Sequence, residues 1–357
     1  MTKETPVKTP KARMSRRRAL KFATIGAGAI GAATMAANPA VGAVAVGTSI
    51  AEDQGEDRTA EIQTALDEAF ESGGGSVLLE EGTFNISSSL IIRANVTLMG
   101  CGAGTRIRAT GTNFNWMIQL PANSHAASVR SMRIFGANVA GGIQVVTAGG
   151  GSFSGQDSYA LIENVFLHDL RTNGVRVGFN FDTREVRLHN VVVLRANAGH
   201  GIQFNAVDSI ISNCTTAGAS GSGLLITGGN NRVTGHKSFF CGGSGISITG
   251  SRNQLSACQA QDNSIDGFRI EDAQDVCLSA CNADSNGFVG FRIRRCEAVA
   301  ASAITSLSRP GGVGEHVFGV RIQDSSMVRV TGVSRGNATN FGTSGQTNNV
   351  DANGLLS

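Results

Sequence analysis

Hydrophobic and polar residues alternate over short stretches that recur along the chain at a nearly constant spacing. In each copy a glycine is followed by an apolar, a variable and an apolar residue, and successive glycines are 27, 22, 22, 22, 23 and 29 residues apart. A second strand-like stretch, such as QLSACQAQD, precedes the glycine by about nine residues. Alternation with a period of two is typical of β-strands, so each copy predicts two or three short strands. The seven copies begin at Gly174, Gly201, Gly223, Gly245, Gly267, Gly290 and Gly319.

Such a repeat predicts an all-β fold in which parallel strands stack turn upon turn, namely a single parallel β-helix with coils of about 22 residues. Parallel crossovers favour the right-handed sense, so we expect a right-handed helix. Leucine-rich repeats have a similar length, but the regularly placed leucines that they need are absent. Helical repeats are longer and lack this alternation. The repeats and the segment before them place the β-helix domain at residues 46–335.

The segment before the coils predicts an amphipathic helix at about residues 59–72. Ile62, Leu66 and Phe70 fall on one stripe, and three consecutive glycines end the pattern. A stack of coils has an open end, and we expect this helix to cover it. Residues 336–357 are polar and lack the period, which predicts a loosely attached tail.

Aligned copies place one column of side chains toward the interior of the coils. Free cysteine is a small buried hydrophobe, so we interpret the column as core packing. A disulfide between Cys258 and Cys281 is geometrically possible, because adjacent coils lie about 4.8 Å apart. Side chains along a straight ladder cannot surround one ion tetrahedrally, and the sequence therefore predicts no metal and no cofactor. The column comprises Val165, Val192, Cys214, His236, Cys258 and Cys281.

Charge divides the chain into two parts. The whole sequence carries 30 Lys and Arg against 27 Asp and Glu, but eight of the basic residues fall within the first 21 positions. Residues 46–357 carry 22 basic and 26 acidic residues, a net charge of −4. No general basic field remains in this part, so nucleic acid is not a predicted partner.

In residues 1–45, Arg16 and Arg17 precede a weakly apolar run rich in glycine and alanine. This segment resembles a twin-arginine signal peptide, with cleavage expected near Ala43 or Ala45. The resemblance implies that the twin-arginine translocase is a partner during export. It also implies a secreted, periplasmic or cell-envelope location without stable membrane insertion. The alternative is an N-terminal membrane anchor, for which the run is short and diluted by glycine.

The predicted helix and the strands after it follow a recognisable pattern: an Ile-Gln-x-Ala-Leu helix, a triple-glycine turn and a strand with the sequence L-x-G-x-G. The matching residues are Asp57, Thr59, Ile62, Gln63, Ala65, Leu66, Gly73 to Gly75, Gly82, Phe84, Leu98, Gly100 and Gly102. Over roughly residues 57–325 the chain resembles the pectate-lyase-like superfamily. It departs from the usual pattern at Glu81, where proline is common, and at Phe84, where tyrosine is common. The resemblance implies the fold, but the superfamily includes lyases, glycosidases, transglycosidases, epimerases and non-catalytic adhesins.

A second column, on the glycine-led strand, faces outward. Adjacent guanidinium groups repel each other unless an anion bridges them, so Arg269 and Arg292 favour a uronate or sulfated polymer as the partner. The alternative is that Glu271, Asp272 or Glu297 neutralises them. The predicted substrate-binding residues are the four arginines of the column Gln144, Arg176, Gln203, Leu225, Ser247, Arg269, Arg292 and Arg321.

Four residues are candidates for catalysis. A lyase needs a base to remove the proton beside a uronate carboxylate, and Lys237 or His200 could supply it. His200 lies in a Gly-His-Gly element similar to that of polygalacturonases, but the other elements of that family are incomplete. Asp262 and Asp284, one coil apart, could form the carboxylate pair of a glycosidase. The structural alternatives are an inert lysine, a turn histidine and aspartates that shape bends.

These features together predict an exported protein that acts on an extended, anionic polysaccharide by lyase-type cleavage. A glycoside hydrolase of the same fold is one alternative. A non-catalytic carbohydrate-binding or cell-surface β-helix protein is the other. The sequence does not predict an oligomeric state.

Overall fold

The computed structural model describes residues 48–50, 55–146, 158–178, 183–312 and 314–356. This part of the chain is a right-handed parallel β-helix of about 12 turns with coils of about 23 residues, which confirms the predicted fold class. The segment predicted to be a signal peptide, residues 1–45, lies outside the described residues, so export stays a prediction. Among the described residues, no helix has the length and apolar character needed to cross a membrane.

Each coil contributes strands to two parallel sheets. Sheet A has 20 strands and is bent lengthwise into two faces, which we name A1 and A2, whereas sheet B has 11 strands. Along the chain, each coil passes from sheet B to face A1, then to face A2, and back to sheet B. The strands of sheet B are β4 (Leu90–Ile91), β7 (Trp116–Leu120), β9 (Gly141–Val145), β11 (Val175–Val177), β14 (Ile202–Phe204), β17 (Leu224–Ile226), β20 (Ile246–Ile248), β23 (Phe268–Glu271), β26 (Val289–Arg294), β28 (Phe318–Gln323) and β30 (Thr339–Ser344).

Sheet A contains short strands that belong to one face and longer strands that cross the bend. Face A1 contains β1 (Thr48–Ile50), β2 (Gly75–Leu79), β5 (Val96–Gly100), β12 (Arg187–His189), β15 (Ile210–Ser212), β18 (Arg232–Thr234), β21 (Gln254–Ser256) and β24 (Gln274–Ser279). Face A2 contains β3 (Gly82–Ile86), β6 (Thr105–Ala109), β13 (Val192–Ala196), β16 (Thr215–Ala217), β19 (Lys237–Phe239), β22 (Gln259–Gln261) and β25 (Asn282–Asp284). The strands that cross the bend are β8 (Ser128–Phe135), β10 (Leu161–Leu170), β27 (Glu297–Leu307), β29 (Ser326–Arg335) and β31 (Asn348–Leu356).

A single residue with positive φ forms the bend between faces A1 and A2 in successive coils. Asn190 has φ 51° and Asn213 has φ 53°, a conformation that asparagine tolerates better than most residues. The residue after the bend points into the core, so Cys214 is fully buried. The corresponding residue of the preceding coil is the buried Val191, and not Val192, which pairs with Thr215 and faces outward. The other predicted members of the inward column, Val165, His236, Cys258 and Cys281, are buried as expected.

His236 is a core residue. Its side chain is fully buried, and burial lowers its pKa to about 3, so the ring is neutral near pH 7. The Nε2 atom lies 2.8 Å from the hydroxyl of Ser238. Burial also raises the pKa of the Cys214 thiol to about 11, which keeps it protonated. No group of three or more histidine, cysteine or acidic side chains is arranged to hold a metal ion within the described part of the chain.

The repeat glycine lies where successive coils approach each other closely. A Cβ atom on Gly267 would lie 2.7 Å from the carbonyl oxygen of Gly290 and 2.8 Å from the Cβ atom of Ala283. Contacts this short require the backbone to move. The spacing of the glycines along the sequence therefore follows from the contact between neighbouring coils.

Replacing Gly267 with alanine is expected to lower the free energy of unfolding by about 1–3 kcal/mol, the usual range for an overpacked core. Urea denaturation followed by circular dichroism measures this change. Ser247→Ala on the neighbouring strand β20 is the control and should have little effect, since it adds no atom. Equal stabilities of the two variants would contradict the explanation of the repeat.

The helix α1 (Thr59–Glu71) covers the N-terminal end of the coils. Ile62, Ala65 and Leu66 are buried beneath it. Two hydrogen bonds fix its orientation, because the side chain of Gln63 accepts from the backbone N–H of Ile91 at 2.8 Å and donates to its carbonyl oxygen at 3.2 Å. A short 3-10 turn at Gly102–Gly104 is the other helical segment among the described residues.

Residues 336–357, predicted to be a polar tail, contain the strands β30 and β31. Strand β30 pairs with β28, and β31 pairs with β29, both in parallel. Phe341 and Val350 are partly buried against the core. The described chain therefore continues the coil stack through a segment whose sequence lacks the period.

Candidate functional site

The outward column predicted on the glycine-led strands is in register across sheet B. Arg176 lies opposite Gln144 on one side and Gln203 on the other, and Arg292 lies between Arg269 and Arg321. Gln119 of β7 extends the column by one strand. With strands about 4.8 Å apart, the eight steps from Gln119 to Arg321 span about 38 Å.

A polar cleft of about 440 Å³ lies at the N-terminal end of this column. Its lining includes Gln119, Gln144 and Arg176 from the sheet and Asn173 from the adjoining turn. Trp116 also borders it but is only 8 % exposed, so little of the indole ring is available for contact with a ligand. The cleft therefore offers mainly amide and guanidinium groups, which suit a polar ligand.

His200 lies in the turn beside this cleft. Its backbone N–H donates to Oδ1 of Asn173 at 2.7 Å, and Asn173 in turn donates to Oε1 of Gln203 at 2.9 Å. The ring nitrogen Nδ1 accepts from the backbone N–H of Ser222 at 3.0 Å. Burial lowers the pKa of His200, so the ring is neutral near pH 7 with its proton assigned to Nε2. In this arrangement His200 presents a hydrogen-bond donor and has no lone pair free to act as a base.

Arginine side chains crowd the other end of the column, and most of them contact a carboxylate. Arg269 Nη2 lies 2.6 Å from Oε2 of Glu271, and Arg294 Nη1 lies 3.4 Å from Oε1 of the same residue. Arg292 Nε lies 3.0 Å from Oδ2 of Asp266, whose side chain is fully buried. Of the carboxylates expected as neutralising partners, Glu271 contacts Arg269 and Arg294, whereas Asp266, which was not expected, pairs with Arg292.

Arg321 differs from the other arginines of this cluster. Its guanidinium group lies 4.8 Å from the ring centroid of Phe318, and it has no ion pair with any described residue. Of the other acidic residues considered as neutralising partners, Asp272 pairs with Arg295 and Glu297 accepts from Gln274. Positive charge therefore remains at this end of sheet B.

An apolar ridge that the sequence analysis missed flanks the arginine cluster. Ile265, Phe288 and Val317 are 39 %, 37 % and 39 % exposed, and backbone hydrogen bonds stack them in successive coils. Arg292 lies over the ring of Phe288 at 5.0 Å. Each ridge residue precedes a repeat glycine by two positions, which is the sequence signal that could have revealed the ridge. The position of Asp266 is also defined by a repeat glycine, because it directly precedes Gly267.

Lys237 is not part of this surface. It lies on face A2, between Thr215 and Gln259 in register, with its Nζ atom 5.2 Å from the ring centroid of Phe239. Arg269 and Arg292 lie on sheet B. The structure therefore does not bring the predicted lysine together with the predicted arginines.

The two candidate aspartates share one cation. Arg309 Nη2 lies 2.5 Å from Oδ2 of Asp262, and its Nε atom lies 3.0 Å from Oδ1 of Asp284. The hydrogen bond with Asp284 is the main cause of a raised pKa of Arg309. Both carboxylates are thus engaged by one guanidinium, whereas the carboxylates of a glycosidase must be free to contact the sugar. Asp262, with φ 52°, also forms a bend.

Comparisons with known proteins agree on the architecture. A family model described as "Right handed beta helix region" matches residues 177–337. The A-module of the mannuronan C-5 epimerase AlgE4 from Azotobacter vinelandii is similar in structure, with a TM-score of 0.62 and 16% identity over 88% of this chain and 95% of that one. The enzymatically active domain of tailspike protein 2 from bacteriophage CBA120 has a TM-score of 0.66 and 15% identity, over 78% of this chain and 46% of that one.

The periplasmic alginate epimerase AlgG is a third similar structure, with a TM-score of 0.55 and 12% identity over 79% of this chain and 77% of that one. No curated protein sequence is significantly similar to this chain. At these identities the likenesses show the fold alone. They support the right-handed β-helix that the resemblance to the pectate-lyase-like superfamily implies.

Proposed function

We propose that this protein binds an extended, anionic polysaccharide along the outward face of sheet B and cleaves it by a lyase-type reaction. The observation that carries the proposal is the in-register outward column, about 38 Å long. Glutamines and Arg176 lie beside a polar cleft at one end, Leu225 and Ser247 occupy the middle, and an arginine cluster lies at the other end. Guanidinium groups bind carboxylates and sulfates through paired N–H donors. A column of this length suits a polymer better than a single small molecule.

The cleft supplies the cation that a lyase reaction requires, but none of its described lining residues is a histidine, lysine or carboxylate that could take the proton. The proton beside a uronate carboxylate becomes easier to remove when a cation neutralises that carboxylate, and Arg176 is positioned for this contact. His200 is tied to the cleft through its backbone N–H, which is bonded to Asn173, and its neutral ring carries its proton at Nε2 because Nδ1 accepts from Ser222. We therefore assign His200 the role of donor and not that of the base.

The names of the similar structures support a polysaccharide substrate. Two of them are epimerases named for mannuronan and alginate.

Hydrolysis is disfavoured, because the candidate pair Asp262 and Asp284 lies on face A2 and contacts Arg309. A binding protein without catalysis is the second candidate, and the engaged Nδ1 atom of His200 favours it.

The double variant Arg176→Gln with Arg321→Gln tests the proposal. Against oligogalacturonate and oligoalginate, we expect the wild type to release unsaturated ends and the variant to bind at least tenfold more weakly. The control is Arg187→Gln with Arg232→Gln, which removes two exposed arginines from face A1. Calorimetry measures binding, and absorbance of the unsaturated product measures cleavage.

Each outcome of this experiment separates two functions. Binding without unsaturated ends would contradict the lyase and leave the binding protein. Deuterium uptake from heavy water without chain cleavage would instead show epimerisation. If the sheet B variant and the face A1 control bind equally well, sheet B is not the binding surface.

A further inference from the structure

A second set of basic side chains lies on face A2, away from sheet B. Arg106 and Arg108 of β6 lie opposite Arg133 and Phe135 of β8, and Lys237 of β19 lies further along the same face. We name Arg106, Arg108, Arg133 and Lys237 the A2 stripe. From β6 to β19 the face advances by five strand steps, or about 24 Å.

Aromatic rings, and not carboxylates, hold three of the four cations in place. The guanidinium group of Arg108 lies 5.6 Å from the ring centroid of Phe135, and that of Arg133 lies 5.7 Å from that of Phe166. Lys237 lies over Phe239 at 5.2 Å. Among the residues that the structure describes, none of the four basic side chains has an ion pair.

This arrangement leaves hydrogen-bond donors available. A carboxylate uses the N–H groups of a guanidinium, whereas a ring attracts the charge through its face and leaves the N–H groups at the edge unbonded. The buried Nε atom of Arg106 has no hydrogen-bond partner. Asp169, which directly follows His168 in the sequence, is bonded to Arg195 and to His168 and not to a residue of the A2 stripe. The stripe is therefore less neutralised than the arginine cluster of sheet B.

We propose that the A2 stripe is a second binding surface, for a polysaccharide chain that carries carboxylate or sulfate groups. The basic groups are distributed along the helix axis, so they can pair with charges that repeat along a polymer. They lie along one strand face, which suits an extended ligand. The surface is separate from sheet B, and the inference does not depend on catalysis there.

The stacking of the rings favours a polysaccharide over single-stranded nucleic acid. Phe135 lies between Arg108 on one neighbouring strand and His168 on the other, and its ring is parallel to that of His168 at 4.7 Å and 10°. Both faces of Phe135 are thus covered. Proteins that bind single strands need free aromatic faces on which bases can stack.

The test is the double variant Arg108→Gln with Arg133→Gln, compared with the control Arg187→Gln with Arg232→Gln. Both variants lose two positive charges from strand faces, so a general charge effect would change them equally. The probes are oligogalacturonate, a heparin oligosaccharide and oligothymidylate, titrated by calorimetry at low and high salt. We expect the A2 variant to bind one of the two oligosaccharides at least tenfold more weakly, with a smaller salt dependence, while the control binds as the wild type does.

A third variant and a check of folding support the interpretation of the binding data. Lys237→Gln should weaken binding in the same direction by a smaller factor, and circular dichroism of each variant verifies that the coils remain folded. Equal binding by the A2 variant and the control would overturn the inference, as would wild-type protein that binds neither oligosaccharide. Loss of oligothymidylate binding alone would assign the surface to nucleic acid instead. The sheet B variant Arg176→Gln with Arg321→Gln reports on the proposed function separately, because it leaves the A2 stripe intact.

Discussion

The variant Arg292→Met is expected to lose about 3–5 kcal/mol of unfolding free energy, the usual effect of removing one partner from a buried ion pair. Arg292 is only 13 % exposed, and its partner Asp266 is fully buried. Methionine fills similar space but leaves the carboxylate without its cation. Urea denaturation at pH 7 measures the loss. Arg295→Met is the matched control and should change little, because the pair of Arg295 with Asp272 lies at the surface.

Two further measurements identify Asp266 as the cause. Burial raises the pKa of the Asp266 carboxyl above its ordinary 3.8, whereas Arg292 opposes the shift. A raised pKa in the folded state contributes stability below the ordinary pKa, and that contribution is lost as the pH rises through the folded pKa. Without Arg292 the folded pKa rises further, so acidification should restore part of the stability. Arg292→Met with Asp266→Asn should restore most of it at pH 7, and failure to do so would refute this account.

The variant Leu66→Asp is expected to lose at least about 3 kcal/mol and to aggregate, because it combines a lost core side chain with a buried charge. Leu66 is 1 % exposed beneath α1, where the helix covers the end of the coils. Chemical denaturation and light scattering measure the two effects.

The control for the helix variant is Thr64→Asp, which introduces the same charge at an exposed position of α1. It should retain the wild-type denaturation midpoint within a few tenths of a kcal/mol, as surface substitutions usually do. If the Leu66 variant matches this control, α1 does not protect the end of the coil stack.

The 22-residue period was sufficient to predict the coils and the register of the outward column. Repeat glycines mark the points where coils touch, so aligning them aligns the strands; Arg269 and Arg292 are neighbours as expected. The inward column was placed one residue too late at Val192, because a single residue, Asn190, forms the bend. A one-residue shift moves a strand side chain from the core to the surface.

The period did not reveal which columns share a face. Lys237, a candidate base, and Arg269, a predicted substrate-binding residue, would have to act on the same polymer, but the turn between face A2 and sheet B separates them. The pairing of Arg292 with Asp266 was missed for a related reason. Asp266 lies in a turn, and side chains in turns do not follow the alternation that assigns strand residues to a face.

Because nearly identical coils stack at a constant spacing, distances along the axis of the β-helix are multiples of one strand step. Four strand steps separate Arg176, at the polar cleft, from Arg269, at the arginine cluster, which amounts to about 19 Å. Because each coil contacts mainly its two neighbours, removing one 22-residue unit, residues 223–244, would join matching registers and shorten that distance by about 4.8 Å. The separation between the two ends of the surface is therefore counted in whole coils, and a gain or loss of one coil would change it by a fixed increment without altering either end.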